Sequence, residues 1–196
     1  MDNPQRIDVH DQLIFLRLRG IQKFKYIYVP NASYFSHSEL NSIIKAFEKS
    51  NASKNIKLAF GFCTGDSNAD IFSQSISSHK IITIKITTPK EANMLFHNSL
   101  FVLYIPEYDA SGLTLIQAFA FGKAVITANT SALNEIADAA ALTIDCNSEN
   151  EIVNALNMFL NHQERKKFEK KTKKRSADFS WNKMASGYFQ IYKKLL

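Results

Sequence analysis

The chain has 196 residues, of which 45% are hydrophobic and 21% are charged, and a formal net charge of +6. This length suits one globular domain with a sizeable core, and the longest apolar runs are far shorter than the roughly 20 residues of a membrane-spanning helix. Residues 164–175 contain eight basic and two acidic side chains and so carry the whole net charge, which argues against nucleic acid as a partner.

The first half of the chain alternates between β-branched apolar runs and stretches with helical periodicity. This alternation is typical of βαβ units with a parallel sheet. We leave residues 1–24 unassigned because their pattern is mixed. In chain order, the predicted elements are a strand at 26–29, a helix opening at 38–40, a strand at 56–62, a short helix at 70–76, a strand at 81–86 and a helix opening at 89.

The second half continues the alternation and ends in helices. Residues 100–105 are almost entirely apolar, as expected of a central parallel strand covered on both faces. The sequence therefore predicts one domain over residues 25–196, a Rossmann-like α/β fold whose open parallel sheet has helices on both faces and further C-terminal helices. The later elements are a helix at 113–121 stopped by Gly122, a strand at 124–128, a short helix at 131–137, a strand at 141–144 and helices from 148 onward.

The loop at residues 107–112 joins the predicted central strand to the next helix. In an open parallel sheet, ligands bind beyond the carboxyl ends of the strands, where such loops lead into helix N-termini. Gly112 lets the backbone approach a ligand closely, and the amides of Leu113, Thr114 and Leu115 can bind an anion such as a diphosphate. A glycine before a helix is also found in ordinary turns, so the loop alone leaves that alternative open.

Several motifs in the chain resemble those of group 1 (GT4-like) glycosyltransferases. The family signature of an acid, Gly-Phe-Gly-Leu-Pro, a Glu-Ala pair and Gly-x-Pro-Val-Ile is similar to residues 109–114, 117–118 and 122–126. Three shorter pieces agree in order and spacing, and the resemblance covers residues 25–196. These pieces are Tyr34-Phe35-Ser36-His37, Asn134-Glu135-Ile136 and Phe179-Ser180-Trp181.

The resemblance implies the C-terminal half of a two-domain GT-B enzyme, a retaining hexosyltransferase of polysaccharide biosynthesis that binds a nucleotide-diphosphate sugar. The acceptor is then held by an N-terminal domain or a partner chain, and neither a metal nor a cofactor is implied. Asp109 takes the position of the catalytic acid near the sugar hydroxyls, and Gln117 that of a glutamate holding the ribose. The other implied donor-binding residues are His37, Gly61, Ile86, Ser111, Gly112, Leu113, Thr114 and Glu135. For Gly61 a plain loop, and for Glu135 a first-turn acid stabilised by the helix dipole, are the alternatives.

Three replacements separate the chain from the family pattern. Ala32 and Ser38 stand where the resemblance places an arginine and a lysine that neutralise the diphosphate leaving group, and the neutral Gln117 replaces a glutamate. Two alternatives to a donor domain therefore stay open, namely a degenerate scaffold or regulatory subunit and an unrelated flavodoxin-like or receiver-like domain. We expect little transfer activity from the chain in isolation.

The remaining residues predict packing and surface roles. Cys63 and Cys146 lie far apart, without Cys-x-x-Cys or Cys/His spacing, so we expect small buried apolar residues rather than a disulfide or zinc site. Trp181 is expected to anchor the terminal helix by packing. The basic segment 164–175 predicts a helix with a solvated face, with contact to an anionic membrane surface or an acidic partner as the alternative. Because the N-terminus shows no leader pattern, we expect a cytoplasmic protein, peripheral at the membrane under that alternative.

Overall fold

The computed structural model describes residues 8–76 and 78–195. Within them, six parallel strands form one sheet in the order β3-β2-β1-β4-β5-β6. The predicted Rossmann-like α/β fold with an open parallel sheet is confirmed. The strands are β1 (Tyr26–Val29), β2 (Lys57–Cys63), β3 (Ile81–Ile86), β4 (Phe101–Tyr104), β5 (Val125–Ala128) and β6 (Leu142–Ile144).

The helices connect these strands and continue beyond the last of them. The predicted bounds of β1, β3 and the sixth helix agree with the structure, whereas the helix predicted at 70–76 begins three residues earlier and the one predicted at 113–121 ends at Ala120. The helices are α1 (Val9–Leu18), α2 (His37–Lys49), α3 (Ser67–Ser75), α4 (Pro89–Asn98), α5 (Leu113–Ala120), α6 (Ser131–Ala137), α7 (Glu149–Leu160), α8 (His162–Ser176) and α9 (Trp181–Leu195).

Helix α1 lies in the segment that the sequence leaves unassigned, whose residues 1–7 are outside the described ranges. Its Phe15 and Leu16 are buried in the same core as the sheet, and the amide of Asn98 donates to the side chain of Gln12 at 3.1 Å. Other apolar residues of the helix, among them Leu13 and Leu18, are exposed. Because apolar residues occur on several sides of α1, its helical period is weak in the sequence.

Two helices begin with reciprocal side-chain caps. The Ser36 hydroxyl accepts from the Glu39 amide at 3.2 Å, and the Glu39 carboxylate accepts from the Ser36 amide at 2.6 Å, so α2 begins at His37. Thr88 and Glu91 form the same box at the start of α4, where Pro89 occupies the first turn. Such caps satisfy amides that a helix start leaves without a partner and contribute about 1 kcal/mol each.

Aromatic contacts tie the helices to the two central strands. Phe159 of α7 lies edge-on to Phe101 of β4 at 5.4 Å and also contacts Phe168 of α8 at 5.1 Å, while Tyr28 of β1 lies edge-on to Phe96 of α4 at 5.0 Å. Phe101 pairs with Ile27, the residue before Tyr28. The side chains of Tyr28 and Phe101 therefore point to opposite faces of the sheet. Helices therefore cover both faces, and all residues of β1 and β4 are buried.

The order of the strands changes direction between β1 and β4, and this opens a crevice at the carboxyl edge of the sheet. From β1 the chain adds β2 and β3 on one side, and from β4 it adds β5 and β6 on the other. The loops that leave β1 and β4 therefore diverge and open a crevice, the position at which ligands bind in open α/β sheets. Cys63 is exposed, which corrects its predicted burial, because it is the last residue of β2, where the chain leaves the sheet. Within the described ranges, no helix combines the length and the apolar character that a membrane crossing needs.

Candidate functional site

A cleft of about 380 Å³ lies at the divergence of the loops after β1 and β4. We call it the switch-point cleft. Four residues that the sequence predicts as ligand contacts line it, namely Ser111, Leu113, Thr114 and Gln117. Six residues without such a prediction complete the lining, namely Asn31, Tyr34, Asn93, Ala120, Phe121 and Trp181.

The start of α5 forms the floor of the cleft without a side-chain cap. Gly112 is the N-cap residue, with a left-handed φ of 56°, and the first helical hydrogen bond runs from the Ile116 amide to the Gly112 carbonyl at 3.1 Å. The amides of the three residues between them therefore have no helical backbone acceptor. A Cβ at position 112 would collide with Cδ1 of Ile136 in α6. The backbone angle therefore favours glycine there, and any larger residue would also require the Ile136 side chain to shift.

Asp109 uses its carboxylate to shape the loop before α5. One oxygen accepts from the Ser111 amide at 2.8 Å, the Ser111 hydroxyl at 3.0 Å and the Gly112 amide at 3.0 Å, and the other accepts from the Tyr104 hydroxyl at 2.9 Å. Partial burial opposes ionisation, but these hydrogen bonds hold the pKa of Asp109 below its usual value. The ionised side chain of Asp109 therefore holds this loop in its conformation. Its predicted catalytic role near the sugar hydroxyls stays a prediction.

Carboxamides face the cleft from both of its walls. Asn31, two residues after the end of β1, donates from Nδ2 to the Thr114 hydroxyl at 2.7 Å, and Gln117 makes a long contact of 3.5 Å from Nε2 to Oδ1 of Asn93. Ala32, the residue that the sequence comparison aligns with the family's arginine, is 0% exposed. The residues of this turn that reach the cleft are therefore Asn31 and Tyr34.

The first turn of α2 is exposed but lies outside the cleft lining. His37 and Ser38 are both exposed, and the capping box with Ser36 already occupies amides of this turn. The second carboxylate oxygen of Glu39 accepts from the Glu107 amide at 2.8 Å. This hydrogen bond ties α2 to the loop after β4 and brings a negative charge, rather than a cation, to the mouth of the crevice.

Three further predicted contacts lie away from the cleft. Gly61 is buried inside β2, where a Cβ would lie 2.7 Å from Oη of Tyr28 and 2.8 Å from Cδ1 of Ile86. Close packing within the sheet therefore explains Gly61, and Ile86 is one of the two side chains that fill the space beside it. Glu135 is exposed on α6, and its backbone carbonyl accepts from Arg175 at 3.0 Å. The roles predicted for these three residues in donor binding stay predictions.

Trp181 differs from its expected role as a packing anchor, because it is 54% exposed at the start of α9. It lines the switch-point cleft and also an adjoining apolar cavity of about 370 Å³ that it shares with Leu113 and Met184. Lys183 lines this second cavity, but its ammonium donates to the Ala177 carbonyl at 2.8 Å. The exposure of Trp181 depends on how α9 leaves α8, which no local sequence signal indicates.

Residues 19–175 match the family described as "Glycosyl transferases group 1". No curated protein matches the chain by sequence. Among solved structures, a glycosyltransferase from Rickettsia africae is 16% identical, with a TM-score of 0.81, over 98% of this chain and 53% of that one. The C-terminal domain of a glycosyl transferase group 1 family protein from Francisella tularensis is 17% identical, with a TM-score of 0.69, over 91% of this chain and 97% of that one.

A third similar structure is described as trehalose-6-phosphate from E. coli bound with UDP-2-fluoro glucose. It is 12% identical, with a TM-score of 0.74, over 97% of this chain and 51% of that chain. The chain thus spans about half the length of the Rickettsia and E. coli proteins, and nearly all of the Francisella domain. At these identities the likeness shows a shared fold, that of one half of a GT-B glycosyltransferase.

Proposed function

The chain belongs to the group 1 glycosyl transferases, and from this premise we propose that it is the donor-binding half of a two-domain enzyme. In this proposal the switch-point cleft binds a nucleotide-diphosphate sugar, and the amides at the start of α5 face the diphosphate. A second domain or partner chain holds the acceptor. The glycosyl group is transferred with retention of its anomeric configuration and without a metal ion.

The observation that carries the proposal is the position of the cleft. It opens at the topological switch point between β1 and β4, and Leu113 and Thr114 at the start of α5 are part of its lining. Ligands of open α/β sheets bind at this position, and a helix N-terminus directs partial positive charge toward an anion. The E. coli structure described with UDP-2-fluoro glucose shares this fold and supports the choice of a nucleotide sugar.

The proposed chemistry is the departure of a nucleoside diphosphate from the sugar. Negative charge grows on the leaving group as the glycosidic bond breaks, and fixed amides at the start of α5 stabilise it without reorganising. Gln117 and Asn93 offer amide donors and acceptors to the neutral hydroxyl groups of the donor. In this proposal the ionised Asp109 holds the loop in the shape that presents the amides and lies near the sugar.

Calorimetric titration with uridine, guanosine and adenosine diphosphates and their sugar conjugates tests the donor site. We expect one base series to bind with a Kd of about 1 mM or tighter, because the floor amides and wall carboxamides offer hydrogen bonds that only a matching ligand satisfies. The displacement of a bound nucleotide by its sugar conjugate is the matched control for binding at one site. If none of the three series releases heat, the donor site is rejected.

A degenerate scaffold or regulatory subunit is the second candidate function. The observation that favours it is the lining of the cleft, which includes no charged side chain among the residues that the structure describes. A purely structural role requires the packing glycines and the core but no leaving-group cation. The same titration separates the candidates, since a scaffold binds none of the nucleotides.

The exposed face of α9 supports the proposed second domain. Apolar residues recur three or four positions apart along this helix, and none of the residues from Trp181 to Leu195 is buried. Contiguous apolar surface of this kind marks a protein contact. The large apolar residues that are 49% to 78% exposed are Trp181, Met184, Tyr188, Phe189, Ile191, Tyr192 and Leu195.

Removing residues 181–196 is therefore expected to lower the free energy of unfolding by less than about 1 kcal/mol. The same truncation should reduce the binding of a hydrophobic dye, because it removes the exposed apolar face. Urea unfolding and dye fluorescence measure the two effects. The matched control removes residues 1–19, which include the buried Phe15 and Leu16, and should cost several-fold more. A loss above about 2 kcal/mol for the α9 truncation would place this helix in the domain's own core.

We also propose that the outer face of α8 contacts the anionic cytoplasmic leaflet. Six exposed lysines lie opposite the buried Thr172, although Lys166 pairs with Glu169 and Lys167 with Glu164. Each unpaired lysine near an anionic surface contributes about 1 kcal/mol. Sedimentation should show more binding to vesicles of phosphatidylglycerol and phosphatidylcholine than to phosphatidylcholine alone, and less after Lys170→Glu with Lys174→Glu. Equal binding to both vesicles would refute the contact.

A further inference from the structure

The switch-point cleft offers a diphosphate no positive side chain. Among the residues that the structure describes, its lining consists of carboxamides, hydroxyl groups and apolar or aromatic side chains. The nearest lysine of the adjoining cavity, Lys183, directs its ammonium to the Ala177 carbonyl. A nucleoside diphosphate is a multiply charged anion, so this lining matches the nucleoside and the sugar better than the phosphates.

Negative charge already occupies the start of α5. The Asp109 carboxylate accepts from the amides of Ser111 and Gly112, directly before the first residue of the helix. The carboxylate of Glu39 approaches the same loop through the Glu107 amide at 2.8 Å. The helix dipole is equivalent to only about half an elementary charge and is offset by these carboxylates. The amides at the start of α5 therefore compensate only a small part of the charge of a diphosphate.

The cleft adjoins the exposed apolar face of α9, where the second domain or partner chain is expected to bind. Trp181, the first residue of α9, lines the cleft, and the exposed apolar face of α9 extends away from it. A domain that covers Trp181 therefore also lies next to the cleft. Such a domain can add arginine or lysine side chains to the neutral cleft. One fixed charge of this kind changes a transfer rate by about 10² to 10³.

We infer that the positive charge for the diphosphate comes from the partner that closes the cleft, which presents arginine or lysine side chains opposite Asn31 and the start of α5. This inference rests on the proposed donor site. It names the chemistry of the partner surface, a basic patch beside an apolar groove that receives α9. The chain by itself then recognises the nucleoside and contributes little to holding the phosphates.

The test compares a nucleoside, its monophosphate and its diphosphate by calorimetry in metal-free buffer, using the base that binds best. For the natural chain we expect the affinity to rise less than about threefold with each phosphate and to depend weakly on salt, because no ion pair forms. Asn31→Arg should raise the ratio of diphosphate to nucleoside affinity at least about tenfold. Asn31→Gln, which is neutral and carries the same left-handed backbone strain, is the matched control.

The outcomes separate this inference from the donor site itself. If the natural chain already gains more than about tenfold from nucleoside to diphosphate and loses that gain in salt, its own cations hold the phosphates and the inference is wrong. The inference is also wrong if Asn31→Gln gains as much as Asn31→Arg. If neither the nucleosides nor the diphosphates bind the natural chain or the arginine variant, the donor site fails, and the inference fails with it.

Discussion

Ala120→Phe is expected to weaken the binding of the preferred nucleotide at least about 30-fold, or about 2 kcal/mol. Ala120 is the last residue of α5 and lines the switch-point cleft. Side chains in a helix lean toward its N-terminus, so a phenyl ring at this position covers the preceding turn, which carries Gln117. The ring would then occupy much of the 380 Å³ cleft.

The same substitution should change the fold little. Position 120 is partly exposed at a helix end, and phenylalanine is only about 0.5 kcal/mol less favourable in a helix than alanine. Ala177→Phe, at the exposed end of α8, is the matched control and should leave nucleotide affinity unchanged. Calorimetry of both variants, with thermal unfolding to confirm folding, makes the comparison. Unchanged affinity in Ala120→Phe would mean that the nucleotide binds elsewhere.

Phe159→Ala is expected to lower the free energy of unfolding by about 3 to 5 kcal/mol. Phe159 is 0% exposed, and its ring joins Phe101 of the central strand to Phe168 of α8. Truncation removes apolar burial and both ring contacts and leaves a cavity between the sheet and two helices. Since domains are stable by only about 5 to 15 kcal/mol, the loss would be a large part of the total.

Phe189→Ala is the matched control, because it makes the same substitution at an exposed position. Phe189 is 56% exposed on α9, so its truncation should change the free energy of unfolding by less than about 0.5 kcal/mol in the isolated chain. Urea denaturation followed by fluorescence gives both values on one scale. A loss below about 1.5 kcal/mol for Phe159→Ala would contradict its place at the junction of the sheet with α7 and α8.

The neutral lining of the cleft has opposite meanings under the two candidate functions. For a degenerate scaffold, uncharged residues mark the loss of catalytic groups. For a donor half that closes on a basic partner, the same residues recognise nucleoside and sugar while the partner completes the site. Nucleoside binding distinguishes them, because a scaffold has no reason to keep a ligand-sized cleft that selects one base.

Local patterns in the sequence were sufficient to predict the strands and the position of the ligand loop. Buried parallel strands require continuous apolar runs such as residues 100–105, and glycine and proline mark where they turn. The left-handed backbone at Gly112 follows from the same local rule. Helix α1 escaped prediction because its apolar residues occur on more than one side, and its place depends on contacts with α4.

The sequence by itself thus determined the parallel sheet and the glycine that opens α5, because short-range periodicity and backbone angles are properties of neighbouring residues. Only the tertiary structure decided which side chains reach the cleft. Asn31 rather than Ala32 faces it, Asp109 is held by Tyr104 and the loop amides, and Trp181 is exposed beside it. These placements depend on how elements that are distant in the sequence pack against one another. Local sequence patterns therefore do not predict which way these side chains point.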